Sequence, residues 1–104
     1  MTFVEITKNK IMLSGHAGYA PLGQDIVCAG ISTLVYTLEN SITAYTDERV
    51  GFSYADGKVT ITWQKLGCDG ALLVHSFICG LTLLAESYPD NIKVQTLTTI
   101  TAAE

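Results

Sequence analysis

The amino-acid sequence predicts an α+β domain in which a small sheet packs against two helices, in the order β-β-α-β-β-α-β. Two observations predict this class. Apolar residues recur at helical spacing in two long segments, and short alternating runs beside turn signals surround these segments. A chain of 104 residues has room for one core, so we expect a single domain over residues 1–104.

The first two strands are predicted at Val4–Thr7 and Ile11–Ser14, on either side of a short lysine-rich turn. A helix of about five turns is predicted to start at Ile26, because apolar residues recur there at steps of three and four. These apolar positions are Val27, Ile31, Leu34, Val35, Leu38, Ile42 and Tyr45.

A hairpin is predicted in the middle of the chain, where Phe52–Tyr54 and Val59–Trp63 flank an Asp-Gly pair typical of tight hairpin turns. A second apolar helix is predicted over Gly70–Ser87. It ends before a Tyr-Pro pair, because proline disfavours helix in the residue ahead of it. Ile92–Gln95 completes the sheet as the last predicted strand.

The composition excludes several classes of function. With a net charge of −4 and six Lys and Arg residues, the chain does not look like a nucleic-acid-binding protein. The N-terminus lacks an apolar signal core, and the segment Ala71–Ala85 is too short and interrupted to predict a membrane span. Three cysteines without CxxC spacing favour free thiols in a reducing cytoplasm, and no motif predicts a cofactor or metal.

The segment SGHAGYAPLGQDIVCAG, Ser14–Gly30, carries the residues with the clearest chemistry. Asp25 is predicted to cap the first helix, because a carboxylate at that position accepts backbone N–H groups of the first turn. Cys28 then lies in that turn, where the helix dipole stabilises a thiolate. The spacing alone also fits a buried and unreactive cysteine.

His16 is placed to act on that sulfur from just beyond the second predicted strand. An imidazole near a cysteine forms an ion pair with the thiolate or acts as a base. Eleven residues separate His16 from Cys28, enough for the chain to fold back. Three glycines supply the backbone freedom for this return and for closure over a substrate: Gly15, Gly18 and Gly23.

This segment resembles the signature of the Prp family of ribosomal-processing cysteine proteases. The family pattern runs Gly-His-Ala, a short loop, Gly-x-Asp-Ile-Val-Cys-Ala, a small residue, an apolar residue and Ser. It falls here on Gly15–Ala17, Gly23–Ala29 and Gly30–Ser32. The later stretch AESYPDNIKV resembles the family's helix end, Tyr-Pro and final strand. Gly30 departs from the family, which usually has alanine there.

The resemblance implies a homodimeric protease of the bacterial cytoplasm that removes an N-terminal extension from a large-subunit ribosomal protein. Cys28 is then the nucleophile and His16 the general base and acid. Asp25 either orients His16 or serves only as a cap. Ser32, one turn beyond Cys28, lines the cleft or lies on the helix surface. Backbone N–H groups at the helix start are the expected oxyanion donors.

Other interpretations stay open at this point. Residues 49–67 follow the family only in pattern, so a prophage-type protease with another protein substrate is an alternative. A non-catalytic dimeric peptide-binding module is a second, and a redox sensor that joins Cys28 to Cys68 or Cys79 is a third. His75 and Cys79 stand four apart, but their apolar surroundings favour buried packing or a dimer contact over zinc.

Overall fold

A five-stranded sheet with two helices on one face makes up the structure, a computed structural model that describes residues 1–103. The predicted order of elements and the fold class are confirmed. In chain order the elements are β1 (Thr2–Thr7), β2 (Lys10–Ser14), α1 (Ile26–Tyr45), β3 (Gly51–Ala55), β4 (Lys58–Thr62), α2 (Cys68–Ser87) and β5 (Ile92–Thr96).

The strands lie in the order β3-β4-β2-β1-β5. All neighbours are antiparallel except β1 and β5, which are parallel. In β1, Val4 and Ile6 are buried, whereas Phe3 and Glu5 are exposed. Because side chains alternate along a strand, this pattern places the core on one face of the sheet, under the helices.

The two helices pack against each other beside the sheet. Two glycines lie at this contact, where a methyl group on Gly30 would meet Leu84 at 3.4 Å and one on Gly80 would meet Leu34 at 2.6 Å. The small residues therefore let the helices approach closely. The side chains that α2 buries are Ala71, Val74, Phe77 and Leu81.

The second helix starts two residues earlier than the sequence pattern predicts. Its N-cap residue, Gly67, has no side chain to cap the helix. The Glu48 carboxylate takes over this role from a distant loop, because it accepts the N–H groups of Gly67 at 2.8 Å and Gly70 at 2.9 Å. A helix start that depends on a residue nineteen positions away has no local signal in the sequence.

The segments on either side of the loop between β2 and α1 lie at one end of the sheet. The register pairs Ser14 with Lys58 and Thr2 with Ile92. The end of β2, the β3–β4 turn and the start of β5 therefore meet there, beside the start of α1. We call this side the site end of the sheet.

The segment after β5 crosses the opposite end of the sheet and returns to α2. Leu97 donates its N–H to the Ile6 carbonyl at 2.8 Å, and Ile100 is only 2% exposed. The His75 Nε2 lies 2.9 Å from the Ile100 carbonyl oxygen, which ties this segment to the helix. These residues therefore close the core from the far side.

Among the described residues, α2 is the one helix that is long and apolar enough to cross a membrane by length and composition. The sequence-based expectation that this segment is too short was wrong, because the helix extends over 20 residues. Core helices of soluble proteins meet the same criterion. In this fold α2 packs against α1 and β5.

Candidate active site

Cys28 lies in the first turn of α1, and the predicted cap by Asp25 is confirmed. Asp25 has extended backbone dihedrals, and its Oδ1 accepts the N–H of Val27 at 3.0 Å and that of Cys28 at 2.9 Å. These bonds satisfy two amides that the helix itself leaves without partners. The cap therefore fixes where the helix begins and, with it, the position of the Cys28 side chain.

The second oxygen of Asp25 holds the loop that precedes the helix. Oδ2 accepts the N–H groups of Tyr19 at 2.9 Å and Ala20 at 3.3 Å. The N–H of Cys28 is the main cause that holds the pKa of the Asp25 carboxyl below its ordinary value, and the Tyr19 and Ala20 amides add to it. Of the two roles expected for Asp25, the structure shows the cap, together with this additional hold on the loop.

The Cys28 sulfur faces the backbone of the segment that contains His16. The amide nitrogen of Ala17 lies 3.4 Å from Sγ and donates to it. Cys28 is half-buried, and Ala17 is only 1% exposed. Cys28 is thus only partly covered by the core, and its sulfur receives an N–H donor from outside its own helix.

The His16 imidazole points towards the β3–β4 turn. Its Nε2 lies 4.0 Å from Oδ1 of Asp56, and the His16 side chain is 64% exposed. Within residues 1–103, no hydrogen bond joins the imidazole to the Cys28 sulfur. The acidic side chain near His16 is therefore that of Asp56. Sequence reasoning treated its Asp-Gly pair only as a turn, although the pairing of β2 with β4 brings that turn to His16.

The backbone on both sides of His16 is held by side chains from β1 and from the segment before β5. Thr2 Oγ1 donates to the Gly15 carbonyl at 3.1 Å, and Asn91 Nδ2 donates to the Ala17 carbonyl at 3.1 Å. The Gly15 N–H in turn donates to the Gly57 carbonyl at 2.8 Å. Neither Thr2 nor Asn91 was expected at the site, because the sequence separates them from it by many residues.

Gly15 is required where the chain leaves β2. Its φ is +86°, and a Cβ there would lie 2.5 Å from the Met1 carbonyl oxygen. Only glycine fits both conditions without strain. The other two glycines of the predicted loop, Gly18 and Gly23, also have positive φ, of +71° and +88°.

The loop presents apolar side chains at its surface. The Tyr19 ring packs edge to face on Tyr88, at the end of α2, with ring centroids 5.4 Å apart. Leu22 at the tip is 93% exposed. Ser32 is exposed on α1, one turn beyond Cys28. The loop is thus fastened to the body at Tyr19 and presents Leu22 to solvent.

Three of the first-turn amides that are expected to supply the oxyanion donors have acceptors in this structure. Asp25 Oδ1 already binds the N–H groups of Val27 and Cys28. The Ala29 N–H donates to the Asp25 carbonyl at 3.0 Å. An oxyanion at these amides would therefore compete with Asp25 for the same N–H groups.

The remaining thiols lie away from this site. Cys68 and Cys79 are free and exposed, and Cys28 is also free. Buried packing of His75 and Cys79, as the apolar sequence suggests, is wrong within one chain. Both residues are exposed on α2, and the His75 ring contacts the Ile100 carbonyl oxygen at 2.9 Å, so a dimer contact stays a prediction.

Known proteins share this fold and sequence over most of the chain. Residues 1–93 match the family described as "Cysteine protease Prp". The chain is 32% identical over 103 residues to the ribosomal processing cysteine protease Prp of Staphylococcus aureus strain Mu50, over 90% of this chain and 97% of that protein. The Bacillus subtilis strain 168 protein of the same name is 27% identical over 92 residues, or 81% of each chain.

A solved structure supports the same assignment. The essential ribosomal processing protease Prp from S. aureus, in complex with a covalently linked product peptide, superposes with a TM-score of 0.82 at 25% identity. The match covers 91% of this chain and 96% of that one. The fold and these similarities define a cysteine protease. Since the family match spans residues 1–93, the chain belongs to the Prp family.

Proposed function

We propose that this protease removes the N-terminal extension of a large-subunit ribosomal protein, with Cys28 as the nucleophile and His16 as the general base and acid. The Ala17 N–H directed at the Cys28 sulfur is the observation that carries the proposal. A hydrogen bond to the charged form stabilises a thiolate, which is the nucleophilic form of cysteine. The names of the relatives from S. aureus and B. subtilis support the ribosomal substrate class.

His16 reaches the sulfur by rotation of its own side chain. Its Cα is two bonds from the Ala17 nitrogen, which lies 3.4 Å from Sγ. The approach of the imidazole to Asp56, at 4.0 Å between exposed groups, is a weak restraint. Catalytic hydrogen bonds often tighten only in the substrate complex, so peptide binding is the step that we expect to bring the imidazole over.

The reaction follows from these two roles. The Cys28 thiolate attacks the scissile carbonyl carbon, the S–C bond forms, and an electron pair of the carbonyl moves to its oxygen. When this intermediate collapses, the C–N bond breaks and protonated His16 gives its proton to the leaving amine. His16 then takes a proton from water as the water oxygen attacks the thioester. The second collapse releases the carboxyl product and the thiolate.

The surface near the loop suits an apolar segment that runs into a basic one. Tyr19, Leu22 and Ile26 are 48%, 93% and 55% exposed, so apolar side chains of a bound peptide have contacts available. The net charge of −4 favours a basic substrate. The resemblance to the family implies such a sequence for the ribosomal extension.

A homodimer in the cytoplasm is part of the proposal. Leu72 and Leu83 are 69% and 59% exposed, and their spacing of eleven residues places them on one face of α2. A second copy of the chain would cover this apolar face. Light scattering should then give twice the protomer mass of 11.2 kDa.

The test is cleavage of a synthetic peptide that spans the extension and the first residues of the mature ribosomal protein. Mass spectrometry of the products should show one cut with the wild-type protein and none with Cys28→Ala or His16→Ala. Cys79→Ala is the matched control, because that thiol is free and exposed on α2, and it should cut like the wild type.

The other outcomes of this experiment each contradict one part of the proposal: the nucleophile, the protease activity or the substrate. Cleavage that persists in Cys28→Ala overturns the nucleophile assignment. Binding of the peptide without any turnover favours the peptide-binding module instead of the protease. If the wild type cuts other peptides but leaves the ribosomal one intact, the proposed substrate is wrong and the prophage-type alternative gains support.

A further inference from the structure

Both polar backbone atoms of Ala17 are held, and they lie on the two successive peptide units that meet at its Cα. Its N–H donates to Cys28 Sγ at 3.4 Å, and its carbonyl accepts from Asn91 Nδ2 at 3.1 Å. The Ala17 side chain is buried, at 1% exposure. Since the peptide units on both sides of this buried residue are hydrogen-bonded, rotation about the Ala17 backbone bonds would break one of these contacts, which limits how far the N–H can turn away from the sulfur.

Asn91 is itself fixed at the start of the last strand. Its backbone N–H donates to the Tyr88 carbonyl at 3.0 Å, and its own carbonyl accepts the Thr2 N–H at 2.9 Å. With its backbone bonded to two separate elements, Asn91 presents its side-chain amide from a rigid base. The Asn91 amide therefore fixes the peptide unit that follows Ala17, and through the Ala17 Cα it restrains the neighbouring unit whose N–H faces the sulfur.

A tetrahedral intermediate at Cys28 needs an N–H donor beside the sulfur. The amides of Val27, Cys28 and Ala29 are engaged by Asp25. The Ala17 N–H, by contrast, already points at the reacting atom. The oxyanion is the former carbonyl oxygen of the substrate, and it is bonded to the same carbon as Sγ. A small movement therefore brings this oxygen to the Ala17 N–H.

We propose that the Ala17 N–H stabilises the negative charge at the reaction centre, first on the Cys28 sulfur and then on the oxyanion, and that Asn91 is the positioning residue that holds it. The inference rests on the proposed role of Cys28 as the nucleophile. It assigns a function to a backbone amide and to an asparagine 74 positions away from it.

The direct test replaces the Ala17 amide by an ester. Ligation of a synthetic peptide of residues 1–27 to a fragment that begins at Cys28 gives the full chain with lactic acid in place of Ala17. This change removes the N–H and keeps the methyl side chain. The control carries the same ester linkage at Lys8, an exposed residue of the turn between β1 and β2 at the opposite end of the sheet. We expect kcat to fall about a hundredfold for the Ala17 ester, as on loss of an oxyanion donor, with KM nearly unchanged.

A second readout does not depend on any substrate. Iodoacetamide alkylates the thiolate, so the rate of Cys28 alkylation against pH reports how well that charge is stabilised. Trypsin cuts after Lys10 and Arg49, which leaves Cys28 alone on one peptide for mass spectrometry. For the Ala17 ester the alkylation rate near neutral pH should fall about tenfold, because a hydrogen bond to a charged group is lost.

Asn91→Ala tests the positioning role with ordinary mutagenesis. Asn9→Ala is the matched control, because Asn9 Nδ2 also donates to two backbone carbonyls, those of Trp63 and Gln64, at the opposite end of the sheet. Both variants should lose stability. Only Asn91→Ala should lower kcat, by about tenfold, and change the alkylation profile, because only this variant releases the Ala17 carbonyl and so loosens the backbone on one side of the N–H.

The outcomes separate this inference from the proposed function. An Ala17 ester with the alkylation profile and kcat of the Lys8 ester overturns the role of the Ala17 amide. Equal effects of Asn91→Ala and Asn9→Ala overturn the positioning role of Asn91. If neither the wild type nor any variant cuts the ribosomal peptide, the substrate assignment fails. The alkylation profiles then still test whether the Ala17 N–H stabilises the charge on Cys28.

Discussion

The Asp25 carboxylate joins two parts of the site at a single residue. One oxygen caps α1 and thereby sets the position of Cys28, while the other accepts the amides of Tyr19 and Ala20 in the loop. Because one ionised side chain makes all four bonds, the helix start and the loop respond together to its charge. The sequence predicted only the cap of α1. A local N-cap pattern contains no information about the contacts of Asp25 with the preceding loop.

Protonation of Asp25 should weaken both attachments. The Cys28 N–H and the loop amides hold its pKa below the ordinary value. A group with a lowered pKa in the folded state stabilises the protein above its unfolded pKa, and this stabilisation is lost as the pH falls through the folded value. We expect the Tm of the wild type to fall more steeply than that of Asp25→Asn between about pH 5 and pH 2. Circular dichroism melts that run parallel for both proteins would contradict this.

Gly15 and Gly23 form a matched pair for a test of the backbone at the loop. Both have a φ near +87°, at +86° and +88°, but a Cβ on Gly15 meets the Met1 carbonyl oxygen, whereas one on Gly23 meets nothing within 4 Å. Gly23→Ala should cost about 1 kcal/mol from the backbone conformation alone. Gly15→Ala should cost about 2 kcal/mol or more, because the clash is added. Urea denaturation of both variants measures the difference, and equal losses would show that the close approach to Met1 has no energetic consequence.

At the scale of elements, the contact between α1 and α2 contains one glycine that the fold needs and one that it does not. A methyl group on Gly30 would lie 3.4 Å from Leu84, an ordinary contact, whereas one on Gly80 would lie 2.6 Å from Leu34. Gly30→Ala should therefore raise the free energy of unfolding by about 0.5–1 kcal/mol, since alanine favours a helix interior. Gly80→Ala should give no such gain, because Leu34 must move. Urea titrations decide, and a gain for Gly80→Ala but not for Gly30→Ala would contradict this packing.

The elements also show where sequence reasoning reaches its limit. Hydrophobic periodicity and the Asp25 cap predicted α1 from its first residue. The start of α2 was placed two residues late, because the Glu48 carboxylate that satisfies its first amides comes from another part of the chain. Thr2, Asn91 and Asp56 escaped prediction for the same reason. Their places at the site depend on strand pairing, and a short-range pattern does not encode which strands become neighbours.

At the scale of the whole molecule, the segment after β5 should contribute to the free energy of unfolding but not to the rate of peptide cleavage. Ile100 lies beyond the residues that match the family, and it is 2% exposed at the end of the sheet opposite the site. Ile100→Ala should lower the free energy of unfolding by about 2–4 kcal/mol, as for other large core residues. Leu97→Ala, at a side chain that is 54% exposed, should change it by less than about 0.5 kcal/mol. Peptide cleavage at a temperature where both variants are folded should match the wild type, and a selective loss of kcat in Ile100→Ala would contradict the separation of the two ends.

The pairing of β1 with β5 determines when the folding enzyme becomes catalytically active. Thr2 and Asn91 meet only through the parallel contact of β1 with β5, and both hold the backbone beside His16. Such a contact between distant parts of the chain forms late in folding. An emerging polypeptide that already contains Cys28 but still lacks β5 should therefore have low activity, and full activity should appear only once the last strand has joined the sheet.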